Sequence, residues 1–321
     1  MKKRAVSSLL AFLAVVSLIL PALATVNLFE NEETPPVVEQ TDPEEPEDPE
    51  GQEDPEDQED PESPLFLDGE PLFIELELRR GTAYVTVDSF VSIIDPQAVV
   101  EEEDGVVTVS SAVVEQIVDD EGNTANVVQE TLSMTVSTQV PYILANGRYL
   151  YAKDNIIMLN DRVAAPVRIL AKVFNLDTAY DSEAHAVLLT HSEDSCAYIQ
   201  PGDSYYDDDA LFWLSRIIYA ESGNQCIDGK IAVGNVVMNR VNSPLFPDNI
   251  YDVLNQKNQF SPASSLSKRT PNSESILAAK LVMDGALVVP TALYFNTVGL
   301  YSWAARNRSY VTTIGAHAFY A

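Results

Sequence analysis

The chain has 321 residues, 46% of them hydrophobic, and carries 49 acidic against 19 basic side chains for a formal net charge of −30. That length supports one or two domains with real cores. So large an acidic excess excludes nucleic acid as a partner, because phosphate contacts need clustered Lys and Arg.

Residues 1–24, MKKRAVSSLLAFLAVVSLILPALA, have a basic start, an apolar run and an Ala-Leu-Ala end. This is the pattern of a cleaved secretory signal; the alternative is an uncleaved anchor, since the run approaches spanning length. No later segment could span a bilayer, so a secreted protein is expected, outside the cell at the wall or the spore. Residues 25–64 follow as a tether. Between Glu30 and Glu62 there are 17 acidic residues, no basic ones and repeated Pro. Such a stretch buries too little apolar surface to fold and repels itself into an extended form.

Residues 65–192 contain a repeat. With a shift of 80, YVTVDSFVSIIDPQAVVEEEDGVVTVS (Tyr84–Ser110) lies over AAPVRILAKVFNLDTAYDSEAHAVLLT (Ala164–Thr190) without a gap. Phe90 then meets Leu170, Ile93 meets Val173, Val99 meets Ala179 and Val107 meets Val187. Each copy of about 30 residues reads as a short strand, a helix of two to three turns and a strand pair about a tight turn, Glu103-Asp104-Gly105 in one and Ser182-Glu183-Ala184 in the other. Each alone has too few strands to cover its apolar face, so the two are expected to make one pseudo-symmetric α+β domain. His185 and His191 have no Cys, Asp or His partners at ligand spacing, so no metal site is predicted.

Residues 203–321 differ: ten acids nearly balance nine bases. Asp207, Asp208 and Asp209 can start a helix through LFWLSRIIYAES. Counting back from Glu221 by three, seven and ten gives Ile218, Leu214 and Leu211, so an acid occupies one end of an apolar helical stripe. A second helix in DGKIAVGNVVMNRVNSP carries Ile231, Gly234, Met238 and Val241 on one face. Gly234 inside it predicts a close helix crossing. A loop leads to a third helix near Pro271 to Val288, and the chain closes on a stretch rich in Tyr, Trp, Phe and Asn, a mix suited to sugar-binding grooves and to ordinary cores alike.

Two resemblances bear on these parts. The segment PYILANGRYLYAKDNIIMLNDRVAAPVRILAKVFNLDTAYDSEAHAVLLT resembles the stalk-type domain first named from the N-terminus of copper amine oxidases; it implies neither copper nor oxidase chemistry here. From Leu211 to Tyr320, the blocks RIIYAESGNQ, GKIAVGNVVMNRV, FPDNIYDVLNQKNQFSP, ALYFN and IGAHAFYA resemble the cell-wall hydrolase family typified by the spore-cortex-lytic enzyme SleB. The expected fold is therefore multidomain: an α+β pseudo-repeat stalk domain followed by a mainly α, lysozyme-like catalytic domain over 203–321, expected to stand on its own.

That second resemblance implies a peptidoglycan-cleaving glycosidase acting on spore cortex or cell wall, with glycan strands as substrate and no cofactor. It also makes Glu221 the catalytic acid, at the position of the family's glutamate. A carboxyl group walled by apolar and aromatic side chains has its charged form disfavoured, which suits it to donate a proton to a glycosidic oxygen; the structural alternative is a buried glutamate paired with Arg216 or Arg240. Gln259, Phe260, Ser261 and Tyr294 are expected to hold the glycan, with Asn239 bracing the site or filling the core, and His317 contacting Glu221, a sugar or only the core. Cys196 and Cys226 could form a disulfide or remain separate thiols. No second acid lies on a comparable apolar face: Asp228 starts a helix, and Asp248 and Asp252 flank a turn. One acid suits lytic transglycosylation between N-acetylmuramic acid and N-acetylglucosamine better than a two-carboxylate mechanism. A hydrolytic muramidase and an inactive wall-binding scaffold are the rival readings, and the stalk domain could meet a cell-wall or spore-coat protein.

Overall fold

The computed structural model describes residues 65–118, 124–192, 196–257, 260 and 263–321. The expected signal and tether lie outside the described residues.

Tight hairpins organise the first part. β1 (Leu65–Leu67) and β2 (Glu70–Leu72) turn about Asp68-Gly69, and β3 (Leu76–Arg79) and β4 (Thr82–Thr86) turn about Arg80-Gly81. Both residues of each turn have positive φ, the conformation whose twist matches the flanking strands. α1 (Val87–Ile94), β5 (Val99–Glu103), β6 (Val106–Val118) and β7 (Thr124–Ser137) follow. The order then starts again with β8 (Tyr142–Ala145), β9 (Arg148–Tyr151), β10 (Ile157–Leu159), β11 (Arg162–Pro166), α2 (Val167–Val173), β12 (Leu176–Asp181) and β13 (Ala186–His191). Asn146-Gly147 and Asn160-Asp161 take the left-handed turn positions in this second copy.

The copies are related by a local twofold. β4 and β11 pair antiparallel with Val85 opposite Ala165, its own counterpart in the repeat, inside a sheet of order β10-β11-β4-β3. Strands are exchanged in the outer sheets. The first copy's opening hairpin joins the second copy's closing pair as β12-β13-β1-β2, with β1 parallel to β13. The second copy's hairpin joins the first copy's pair as β5-β6-β7-β8-β9, where β7 is inserted and antiparallel to both neighbours. One core results, with Phe90, Val107, Leu170 and Leu189 fully buried. The aligned pair Ile93 and Val173 parts company: Ile93 is 37% exposed and Val173 buried. The departing chain covers the end of α2, where the Ile199 amide donates to the Val173 carbonyl at 2.8 Å.

The second part begins with α3 (Gly202–Tyr205) and α4 (Asp208–Ser222). The Asp207 side chain caps α4 by accepting from the Ala210 amide at 2.7 Å, with Asp208 and Asp209 in its first turn, where carboxylates meet the positive helix end. α5 (Ile227–Val241) is buried on almost every face, from Gly229 to Val237 and again at Arg240. A Cβ at Gly234 would sit 2.8 Å from Val282 Cγ2 and 3.0 Å from Ile218 Cδ1, so glycine lets three helices meet. α6 (Ile250–Asn255) and α7 (Ala263–Leu266) are short helices in the expected loop, and α8 (Ser273–Met283) packs across α4 and α5. α8 ends before the expected Val288, because Asp284 turns away and Gly285 takes φ +94°, the left-handed stop typical of helix ends. β14 (Tyr294–Thr297), α9 (Trp303–Asn307), β15 (Tyr310–Ile314) and β16 (His317–Tyr320) close the chain. The strands form a sheet of order β14-β16-β15, an addition to the mainly helical expectation.

The described residues from Leu65 onward fall in one compact unit. Tyr142, Tyr149 and Tyr151 pack against the helical core. The Arg148 guanidinium pairs with the Asp284 carboxylate, the Tyr206 hydroxyl donates to the same carboxylate, and Lys172 Nζ donates to the Asp284 carbonyl at 2.8 Å. Among the described residues no helix is long and apolar enough to cross a membrane.

Candidate active site

The stripe read from the sequence sets the first wall. Leu214 and Ile218 are fully buried and Leu211 packs beside them, so the next position on that face, Glu221, emerges half-buried at the end of α4. There it lines a cavity of about 650 Å³. The loop after it is held down: Lys230, itself 1% exposed, donates from Nζ to the Gln225 carbonyl at 2.5 Å and to Glu274 Oε2 at 2.7 Å. The Gln225 side chain in turn accepts from the Ala316 amide at 2.9 Å, which ties the α4–α5 loop to the β15–β16 turn.

The remaining walls come from α5, the segment between α6 and α7, the C-terminal sheet and the start of α9. Arg240, Phe260, Tyr294, Phe295, Trp303 and His317 all line the cavity, with Asn296 and Ser302 adding polar groups. Tyr294 meets Trp303 edge to face at 5.6 Å, and Phe295 meets His317 at 5.1 Å. Such geometry fixes aromatic faces without charge. Among the described residues Glu221 is the one Asp or Glu that lines this cavity. Asp228 accepts from the Tyr151 hydroxyl at 2.7 Å instead, and Asp252 accepts from the Asn249 side chain at 2.8 Å on the surface.

Two cavity groups are buried with an orphan nitrogen. Arg240 is 3% exposed; its Nε donates to the Leu293 carbonyl at 2.7 Å, while its Nη1 has no hydrogen-bond partner. Burial pushes the Arg240 pKa down to about 10, so it stays a cation at neutral pH. His317 is 7% exposed and its Nδ1 has no partner. Burial lowers its pKa and keeps the ring neutral.

The sequence-derived set is thus partly gathered. Glu221, Phe260, Tyr294 and His317 share the cavity, whereas Gln259 and Ser261 lie outside the described residues. Asn239 does not line it. Its side chain donates to the Val289 and Ala292 carbonyls, both at 2.9 Å, so the substrate-binding role gives way to bracing of the segment before β14. Arg216 lies over the Phe212 ring and donates to the Phe212 carbonyl. Cys196 and Cys226 are free, exposed thiols, so the considered disulfide is not formed. His191 pairs with Asp68 and His185 contacts Tyr180. A larger cleft of about 950 Å³ in the first part is lined by Arg168, Lys172 and Glu130, but lacks an acid set among aromatic walls. Arg240, expected only as an alternative partner for Glu221, lines the cavity in its own right; it falls off the Ile231–Val241 stripe, and the rings around it come from distant parts of the chain.

Residues 224–320 match the Cell Wall Hydrolase family model. The match begins three residues after Glu221. Over 116 residues the chain is 29% identical to the spore cortex-lytic enzyme of Halalkalibacterium halodurans, covering 36% of this chain and 35% of that protein. Over 129 residues it is 30% identical to the spore cortex-lytic enzyme of Bacillus subtilis, covering 40% and 42%. The chain thus spans well under half the length of these curated relatives. The catalytic domain of the Bacillus cereus SleB protein aligns at 26% identity and a TM-score of 0.34, over 36% of this chain and 92% of that one. The C-terminal segment is accordingly similar to cell wall hydrolases of the spore-cortex-lytic kind.

Proposed function

We propose that this chain is a peptidoglycan-cleaving glycosidase, a lytic transglycosylase that cuts between N-acetylmuramic acid and N-acetylglucosamine with Glu221 as its acid and base. The observation that carries this reading is that Glu221, the one carboxyl group among the described residues to line an aromatic-walled cavity, stands just before a segment similar to cell wall hydrolases that supplies the other lining residues. Glu221 gives its proton to the glycosidic oxygen as the bond to the muramoyl C1 breaks. The resulting carboxylate takes the proton of the muramoyl 6-hydroxyl, whose oxygen closes on C1 to form the anhydro ring. Water is not the nucleophile, so no second carboxylate is needed, unlike the two-acid pathways. The aromatic walls hold sugar faces and Tyr294 supplies a hydroxyl for orientation. Spore cortex or cell wall is the substrate, and the protein acts after export. The first part serves as a stalk-type module, folded from residues 65–192.

The test compares Glu221→Gln with Asp228→Asn, Asp248→Asn and Asp252→Asn on one peptidoglycan preparation. Loss of the general acid lowers cleavage by about 10²- to 10⁴-fold, with folding retained, while the aspartate variants stay within a few-fold. An active Glu221→Gln beside a dead but folded aspartate variant would overturn the assignment. Fragment masses separate the two glycosidase outcomes, since anhydro-muramoyl ends weigh one water less than reducing ends.

A further inference from the structure

The Arg240 side chain is an anomaly that the proton-transfer chemistry does not use. It projects from α5, the most buried helix, into the cavity that holds Glu221. Its guanidinium carbon lies 5.1 Å from the centre of the Phe246 ring, 4.8 Å from Phe260 and 5.4 Å from Tyr294. Three aromatic faces offset much of the charge of a desolvated guanidinium. They supply no hydrogen-bond acceptor, and Nε already has one in the Leu293 carbonyl. Nη1 is buried without a partner, while the side chain as a whole lines the cavity; a guanidinium so poorly supplied with acceptors gains from one that a ligand brings.

From this arrangement we infer that Arg240 is a specificity residue whose guanidinium donates to the carbonyl oxygen of a substrate N-acetyl group, with the acetyl methyl lying against Phe260 and Tyr294. The inference rests on the glycosidase reading above and adds which substituent the cavity reads. An acetamide suits the wall on both counts: it brings a strong neutral acceptor and a compact apolar end. A sugar hydroxyl brings no methyl for the rings. The side chain cannot swing aside, because Nε is anchored and α5 is packed on all sides.

The test is a cycle of two enzymes on two substrates: wild type and Arg240→Met, each on glycan strands from peptidoglycan and on the same strands after chemical N-deacetylation. On N-acetylated strands, kcat/KM of Arg240→Met falls about 10- to 100-fold, the size of losing a hydrogen bond from a charged donor. On deacetylated strands wild type falls by a like factor and Arg240→Met falls little further, because the group that the arginine reads is gone. An equal loss for the variant on both substrates would make Arg240 structural and overturn the inference while leaving the glycosidase reading intact. A wild-type enzyme inert on N-acetylated strands would overturn both. If Arg240→Met fails to fold, Arg240→Lys takes its place, since it keeps the cation among the rings but has one nitrogen for two acceptor positions; the same cycle then decides.

Discussion

His317 shows how burial alone sets a residue's behaviour. It lies within the cavity near the Phe295 and Phe319 rings, and burial is the cause of its lowered pKa; Glu221, Arg240 and Tyr294 are the titratable groups among the described residues that share its cavity. In the unfolded chain a histidine takes up a proton near pH 6.5, whereas the buried ring does so only at lower pH. The unfolded state therefore binds more protons as pH drops through this window, and stability falls with it. Between about pH 7.5 and 5 the melting temperature of the wild type should drop more steeply than that of His317→Asn, which thermal melts across pH will check. Parallel curves for the two proteins would mean that His317 titrates normally. Residue chemistry was unevenly legible. Glu221 stood out because an acid interrupts an apolar stripe, which local periodicity reveals. Arg240 did not, because its meaning depends on three rings from distant parts of the chain, and no local pattern records that meeting.

At the scale of elements, α5 acts as the ruler for the cavity's far wall. Its Asn235 side chain donates to the Ala286 carbonyl at 2.7 Å and accepts from the Val288 amide at 2.8 Å. One turn on, Asn239 takes the Val289 and Ala292 carbonyls, and Arg240 takes Leu293. The irregular stretch between α8 and β14 is thereby fixed to one helix, and it delivers Tyr294 to the cavity. Asn235→Ala leaves a buried carbonyl and amide without partners, which costs about 1–3 kcal/mol each in desolvation terms. A loss of about 2 kcal/mol in urea unfolding, with weaker glycan binding through a displaced Tyr294, is the expected outcome. Unchanged stability would show that water replaces the amide. The repeat was legible because strand, helix and strand pair recur with matched apolar positions. The exchange of hairpins between copies was not, since register and partner choice between strands far apart in sequence are set by tertiary packing. The small C-terminal sheet was hidden for a related reason: Tyr294–Thr297 and His317–Tyr320 lack alternation, each being packed on most of its length.

Across the whole molecule, the boundary near residue 200 that composition suggested is crossed by a buried charge cluster. The Asp284 side chain is 0% exposed and that of its partner Arg148 7%. Arg148 comes from β9, and Tyr206 and Lys172 complete the surroundings of the carboxylate. Removing one member of a buried pair leaves an uncompensated charge and costs about 3–5 kcal/mol, whereas removing both can be nearly neutral. Arg148→Met should therefore destabilise the protein strongly, while Arg148→Met with Asp284→Asn should recover most of the loss. Additive losses would reduce the cluster to a set of separate contacts. The same geometry bears on the expectation that 203–321 stands alone. Cut at that point, the fragment loses Arg148 and Lys172 from around Asp284, and it uncovers the apolar surface beneath Tyr142, Tyr149 and Tyr151. Asp228 also loses the Tyr151 hydroxyl. Residues 203–321 should consequently melt well below residues 65–321, and Asp284→Asn should raise the melting temperature of the fragment while lowering that of the longer protein. That opposite response to one substitution is the signature of a carboxylate held by the neighbouring module; the same response in both would place its support inside 203–321.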